Sequence, residues 1–477
     1  MRTSFQSGLL LASMMAPLAS AERVVGAYIF ARHGDRTAKV SGNTELTDLG
    51  YREVFDAGSF YNARYINNSS AKYIEGISSN VVNLTQVQAS APVDAVLQNS
   101  GTGFLQGVYP PVGATMGSMK LANGTTVQSP LQGYQLIPLS VVGDGDDSED
   151  SSWLQGTTNC PQATVSSNNY FLSSQYMELL SSTNDFYHSL SPMLTAAFNE
   201  SSTNFLNAYE IFDYLNVARI HNSSANFPHS DLLNDSVYHQ LLTLANAHEY
   251  GLAYNKSEPV RAIAGAILAG EILEGLNDTI TGAGELLGLQ FGSYGTFLSF
   301  FGLMQLPKAS IDFTGIPDYA SSFVLELVTD APGTGMPDTD EINVRFTFHN
   351  GTLTGSDEPV AYPLFGTSNV LMSWSDFVSE TQKIAVTDDT NLCGMCGLTT
   401  GSCATSSSSA SSTADDSSSG SGGISRPVAG VIGAMVTLAV ILGLEAVFFL
   451  IGGFTIAKRR KHGAVESSTG AMTEDKK

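Results

Sequence analysis

The stretch VVGAYIFA at 24–31 runs without interruption into Arg32-His33-Gly34-Asp35-Arg36-Thr37, and no other feature restricts the chain as much. A short, continuous apolar run predicts a strand buried on both faces of a sheet. In an open α/β sheet, the carboxyl end of such a strand is where ligands sit. Two guanidinium groups flanking an imidazole there suit a phosphate: arginine forks hold its oxygens bidentately, and a neutral imidazole can attack phosphorus. Gly34 permits close backbone approach to an anion. An ordinary surface run with salt bridges is the plainer alternative, and the position directly after a buried strand argues against it.

The rest of the body organises around that strand. Thr47-Asp48-Leu49-Gly50 opens a helical stretch to about residue 65, with Asp48 near its start. Residues 102–108 lead to the firm stop Tyr109-Pro110-Pro111. The middle, 127–258, is rich in Asn, Ser, Tyr and Leu, with helical patterns at 175–190 and 239–254 and no strand series. The strongest buried-helix pattern is VRAIAGAILAGEILEG at 260–275. Residues 322–328 and 342–348 alternate apolar and polar about a loop with Pro332 and Pro337, and read as a hairpin. Strands at both ends and helices between predict an α/β domain over 22–126 and 259–404, with a helical cap insertion at 127–258.

The ends of the chain read differently. Arg2, an apolar run at 8–18 and Ala19-Ser20-Ala21 form a signal-peptide pattern over 1–21. Residues 428–457 contain no Lys, Arg or Asp and one acid, Glu445. As a helix they would rise about 45 Å against a hydrocarbon core of about 30 Å, enough for a tilted span. Glu445 reads equally well as an intramembrane contact or as a tolerated, interface-proximal carboxyl. Lys458-Arg459-Arg460-Lys461 follows, so 458–477 is expected to be a cytoplasmic tail. The Ser-rich segment 405–426 resembles a disordered, O-glycosylated stalk. The expected topology is a single-pass cell-surface protein with its N-terminus outside.

Charge and sequons fit that topology. The net charge is −23, from 22 Lys+Arg against 45 Asp+Glu. The outer part is more acidic still, since the tail removes six bases and only three acids. Such a surface excludes nucleic acid as a partner, because phosphate backbones need clustered cations. Sequons stand at Asn67, Asn68, Asn83, Asn123, Asn199, Asn222, Asn234, Asn255, Asn277 and Asn350, all on the expected outer side. Cys160, Cys393, Cys396 and Cys403 lie there too, as expected for structural disulfides, and three pairings are open. Cys393-Gly-Met-Cys396 has no second ligand pair for zinc. His188, His221, His229 and His239 show no metal spacing, and the acidic run 144–150 lacks the spacing of a calcium loop. No metal or cofactor is expected. Protein partners are not indicated.

ARHGDRT, together with LTDLGYREVFDAGSFYNARY at 46–65, resembles the N-terminal signature of the histidine acid phosphatases, the second branch of the histidine phosphatase superfamily. GFLQGVYPP at 103–111 and PDYASSFVLEL at 317–327 resemble further blocks of that family. The resemblance implies a phosphoglycerate mutase-like sheet with a helical cap. It implies phosphomonoester hydrolysis through a phosphohistidine, with His33 as the nucleophile and Arg32 and Arg36 as phosphate ligands.

Two parts of the family pattern are absent. The stretch expected to bring a third clamp arginine reads QASAPVDAVLQNS at 88–100; alignment back from Ser100 puts Ser90 in that place, and no Lys or Arg occurs at 81–119. No His-Asp dipeptide exists to protonate the leaving oxygen; Tyr294 and Gly295 stand in its place, or Gln290 and Phe291 if the stretch is anchored on Gly302, and either way the carboxylic acid is missing. General acid catalysis is typically worth about 10²- to 10⁴-fold, so ordinary phosphomonoesters would turn over poorly. Three groups remain as acid substitutes, each with a plainer role. Tyr294 would need a lowered pKa, Glu249 of His248-Glu249 reads as half of a helix-surface pair, and Asp35 reads as a loop hydrogen-bonding group. His349, beside the Asn350 sequon, is expected at the surface. The alternative to an enzyme is a catalytically inactive surface glycoprotein that binds phosphate or another anion.

Overall fold

The computed structural model describes residues 22–142, 160–223, 226–399 and 403. The expected signal segment, stalk, membrane span and tail, and the acidic run 144–150, lie outside the described residues. Among the described residues no helix is long and apolar enough to cross a membrane.

Among the described residues there are ten strands: β1 (Arg23–Arg32), β2 (Val87–Pro92), β3 (Ser118–Lys120), β4 (Thr126–Gln128), β5 (Ser140–Val142), β6 (Leu287–Gly292), β7 (Ser322–Thr329), β8 (Asn343–His349), β9 (Val360–Tyr362) and β10 (Leu371–Ser373). The main sheet runs β10-β8-β7-β1-β6-β2-β5, with β9 on β8 and β3–β4 a separate hairpin. β1, β6, β2 and β5 are mutually parallel, whereas β7 is antiparallel to β1 and begins the antiparallel half. The expected hairpin is β7–β8.

The unbroken apolar run of β1 follows from its place between two cores. Val25, Tyr28 and Phe30 face one core, built with the helices Ile263–Thr281 and Tyr294–Leu303. Val24, Ala27, Ile29 and Ala31 face the other, built with α1 (Asp48–Tyr61) and α2 (Ala95–Val108). Successive side chains of a strand point to opposite faces, so every position of β1 between its two terminal arginines must be apolar or small. β7 divides in the same way: Phe323, Leu325 and Leu327 face the first core, Val324 and Val328 the second. Between the latter two sits Glu326, fully buried, bound by Arg64, Arg345 and the Tyr65 hydroxyl. Burial opposes its ionisation, yet Arg345 and Arg64 hold its carboxyl below the ordinary range.

Local signals set the helix ends. The Thr47 side chain caps α1 by accepting from the Gly50 N–H at 3.0 Å, and Asp94 caps α2 by accepting from the Leu97 N–H at 2.7 Å. α2 ends at Val108, just before Tyr109-Pro110-Pro111.

A third core belongs to the helical insertion, whose longest members are Ala208–His221 and Asp235–Ala253. Tyr294 and Leu298, from the helix after β6, are part of this core, so the insertion rests on that helix. The sheet extends beyond 126, where the insertion was expected to begin: Ser140–Val142 pairs with Ser90–Pro92 as an edge strand. Three residues carry too little periodicity to reveal such a strand, which exists because β2 offers an edge. The helical pattern at 175–190 is interrupted at Thr183.

The disulfides are Cys160–Cys396 and Cys393–Cys403. Cys393 and Cys396 are therefore not joined to each other. The first bridge ties the start of the insertion to the helix Asp389–Cys396. All three cores and both bridges fall within residues 22–403, so this part of the chain carries its own interior and cross-links.

Candidate active site

The carboxyl ends of β1, β6 and β2 lie side by side, with Arg32 in register with Gly292 and Ser90 with Gln290. The loop after β1 leaves this edge and packs backbone to backbone on the start of α1. A Cβ on Gly34 would stand 2.2 Å from the Gly50 carbonyl oxygen, and one on Gly50 would stand 2.0 Å from that of Asp35. Only glycine fits at either position, which accounts for the glycines of both ARHG and LTDLG.

His33, Arg32 and Arg36 are all buried here. His33 Nδ1 lies 2.8 Å from the Gly34 carbonyl oxygen. A carbonyl can only accept, so Nδ1 carries the proton, and in the neutral ring the lone pair is on Nε2. The Gly34 N–H donates to Ser100 Oγ at 3.2 Å, and the Asp35 N–H donates to Glu53 Oε2 at 2.8 Å. Burial pushes the Glu53 carboxyl up to about 7, with the bond from Asp35 N–H and Arg32 opposing the rise and the Asp35 charge adding to it.

Arg32 donates to the Pro317 carbonyl and lies between two aromatic rings, 4.8 Å from the Tyr319 centroid and 5.5 Å from that of Tyr294. Tyr319 also stands 5.6 Å from the His33 ring. Arg36 is held from the insertion: Nη1 meets Asp213 Oδ1 at 3.0 Å, and Nη2 donates to the Tyr209 hydroxyl at 3.2 Å. The same carboxylate accepts from the Lys39 backbone N–H at 2.8 Å. Burial pushes the Tyr209 phenol up to about 12 although Arg36 acts against it. Lys39 Nζ sits 5.5 Å from the Tyr209 ring and 5.6 Å from the Tyr294 ring.

The three acid substitutes take distinct places. Asp35 is buried and bonds the Thr47 hydroxyl and, at 2.6 Å, His221 Nε2. It is thus a fastening for the insertion as well as a loop group. Tyr294 and Glu249 come together: the Tyr294 hydroxyl donates to Glu249 Oε2 at 3.0 Å, and Glu249 Oε1 meets His248 Nδ1 at 2.7 Å. His248-Glu249 is therefore no surface pair. His248 is buried among Tyr170, Phe171, Tyr176 and Phe205, because the insertion's own core closes over it. His349 is half-buried, with Nδ1 3.0 Å from the Gly351 carbonyl oxygen. Nine sequon asparagines are exposed and Asn255 is half-buried.

Ser90 lies within β2, and neither β2 nor α2 carries a cation toward the edge. Sequence reasoning missed Ser100, Asp213 and Glu53. Asp213 could not have been found, being 177 positions from Arg36. Among the described residues no group of three His, Cys, Asp or Glu side chains is gathered for a metal ion.

An α/β sheet capped by helices, with an imidazole and two arginines buried at its carboxyl edge, defines a histidine-phosphatase type of protein. The sequence profile of the histidine phosphatase superfamily (branch 2) matches residues 37–349, well over half of the chain, and the chain belongs to that family. The matched stretch begins one residue past Arg36. Among solved structures, a phytase from Klebsiella sp. ASR1 is 12% identical, with 77% of this chain and 95% of that one covered and a TM-score of 0.53. A phytase from Citrobacter braakii is also 12% identical, with 78% and 99% covered and a TM-score of 0.51. At this identity the likeness concerns the fold. No curated protein matches significantly.

Proposed function

We propose that the folded part is an acid phosphatase of restricted turnover that transfers a phosphoryl group to His33. The observation that carries this reading is the 2.8 Å contact of His33 Nδ1 with the Gly34 carbonyl oxygen, which assigns the ring proton to Nδ1 and makes Nε2 the nucleophilic nitrogen of the neutral ring, with Arg32 and Arg36 also buried at this edge. In the first step the Nε2–P bond forms and the bond from phosphorus to the leaving oxygen breaks. The leaving oxygen takes a proton, and water then hydrolyses the phosphohistidine to inorganic phosphate. In this reading the proton comes from Tyr294, which stands in place of the histidine of the family's His-Asp pair, with Gly295 in place of its acid, and which is backed by Glu249 and His248. A phenol is a weak acid, so esters with good leaving groups, such as aryl phosphates, should react well ahead of alkyl phosphates.

The structural relatives are phytases, but the charge balance favours a singly phosphorylated ester here. A polyphosphorylated inositol needs many cations, and this chain carries a net charge of −23. Tethering at the cell surface by a C-terminal span belongs to the same proposal and rests on the sequence alone.

One observation favours a second reading. Asp213 already occupies Arg36 with a carboxylate, an arrangement suited to a protein that holds anions weakly and performs no chemistry. The test is p-nitrophenyl phosphate hydrolysis at acid pH, with trapping of acid-labile phosphohistidine, in the wild type and His33→Ala. Hydrolysis and label lost together in the variant support the enzyme; equal background in both supports the binding protein.

A further inference from the structure

The helix Tyr294–Leu303 begins at the candidate site and ends at a cavity about 14 Å further along its axis at the usual rise per residue. That cavity has a volume of about 460 Å³, within the range of roughly 300–1,000 Å³ typical of small-molecule sites. Its walls are mainly apolar, with Tyr254, Leu303 and Met395 among them. Lys256, Lys308 and Lys383 also line it, and no Asp or Glu does.

The lysines are unexpected on this chain. Only six lysines lie among the described residues, in a protein with twice as many acids as bases, and three of the six line this one cavity. All three are exposed, so their heads meet solvent at the rim. Lys308 leans on the neutral Gln305, whereas Lys383 is ion-paired with the half-buried Glu380 at 2.6 Å, a pair that solvent screens at the rim. A lysine keeps its ammonium in water while its stem covers apolar surface. A cavity with an apolar floor and a cationic rim complements a molecule built the opposite way.

We propose that this cavity binds a single-chain amphiphile with an anionic head, of the long-chain carboxylate class. The hydrocarbon chain lies against Tyr254, Leu303 and Met395, and the carboxylate lies among the three lysines. None of the residues that line this cavity belongs to the His33 site, and binding here does not depend on turnover there.

Calorimetric titration of residues 22–404 with palmitate, and with hexadecanol as the uncharged chain of equal length, tests the proposal. Palmitate should bind with a stoichiometry of one, and hexadecanol about tenfold more weakly, the combined effect of three partly screened cations. Lys256→Gln/Lys308→Gln/Lys383→Gln changes only exposed side chains and should remove that preference while hexadecanol binding persists. His33→Ala should bind palmitate like the wild type, which separates this site from the anion pocket. Absence of saturable binding, equal affinity for the two ligands, wild-type preference in the triple variant, or loss of palmitate binding in His33→Ala would each overturn it.

Discussion

Asp213→Asn asks whether an internal carboxylate and an external phosphate compete for Arg36. Asp213 meets Arg36 Nη1 at 3.0 Å and takes the Lys39 backbone N–H at 2.8 Å, with both side chains buried. The amide has the same shape and its oxygen can still accept from Lys39, but the guanidinium loses its counter-charge. Removing one partner of a buried pair costs about 3–5 kcal/mol. An unfolding entropy of about 2.1 cal/mol/K per residue over roughly 380 residues gives about 0.8 kcal/mol/K, so Tm should fall by about 4–6 °C. Inorganic phosphate should recover more stability in the variant than in the wild type. At a hundred times Kd it adds about 2.7 kcal/mol, or about 3 °C on the same scale. Scanning calorimetry across a phosphate series reads both effects. A variant that loses stability without gaining phosphate dependence would refute the competition and leave Arg36 a purely structural cation. No change in either quantity would refute the cost assigned to the pair as well.

Two further predictions concern the site. Tyr294→Phe should lower turnover of alkyl phosphates by about 10²-fold or more while aryl phosphates change little, since only poor leaving groups need the proton; steady-state kinetics with paired substrates decides, and equal loss for both would remove Tyr294 from the acid role. Glu53 is raised from 4.5 to about 7 by burial, so the folded state holds an extra proton between those values. Stability should therefore decline as pH rises from 4.5 to 7, and Glu53→Gln should flatten that decline; parallel profiles of denaturation midpoint against pH in the two proteins would sink the assignment.

What the sequence disclosed was whatever local pattern carries. The apolar run of β1 disclosed a strand between two cores, and the alternation at 322–328 and 342–348 disclosed the β7–β8 hairpin. Arg32, His33 and Arg36 were legible because one strand end delivers all three to the same edge. Contacts between distant segments were hidden. Arg36 with Asp213, Asp35 with His221, and Tyr294 with Glu249 each join the sheet domain to the insertion across 45 or more positions, with no periodicity to announce them. β5 was hidden for another reason, since a three-residue edge strand takes its conformation from its neighbour. His248-Glu249 was misplaced because a dipeptide says nothing about which helix face the third core covers.

The close backbone contact between Gly34 and Gly50 bears on how the motif itself should be read. Gly34 is irreplaceable for steric reasons alone, and Arg36 secures the insertion through Asp213 whether or not a substrate is ever bound. The motif is therefore also an architectural joint. A descendant of this chain that had ceased all chemistry would still be obliged to keep most of Arg-His-Gly-x-Arg in order to fold, so the presence of those letters certifies the scaffold before it certifies a reaction.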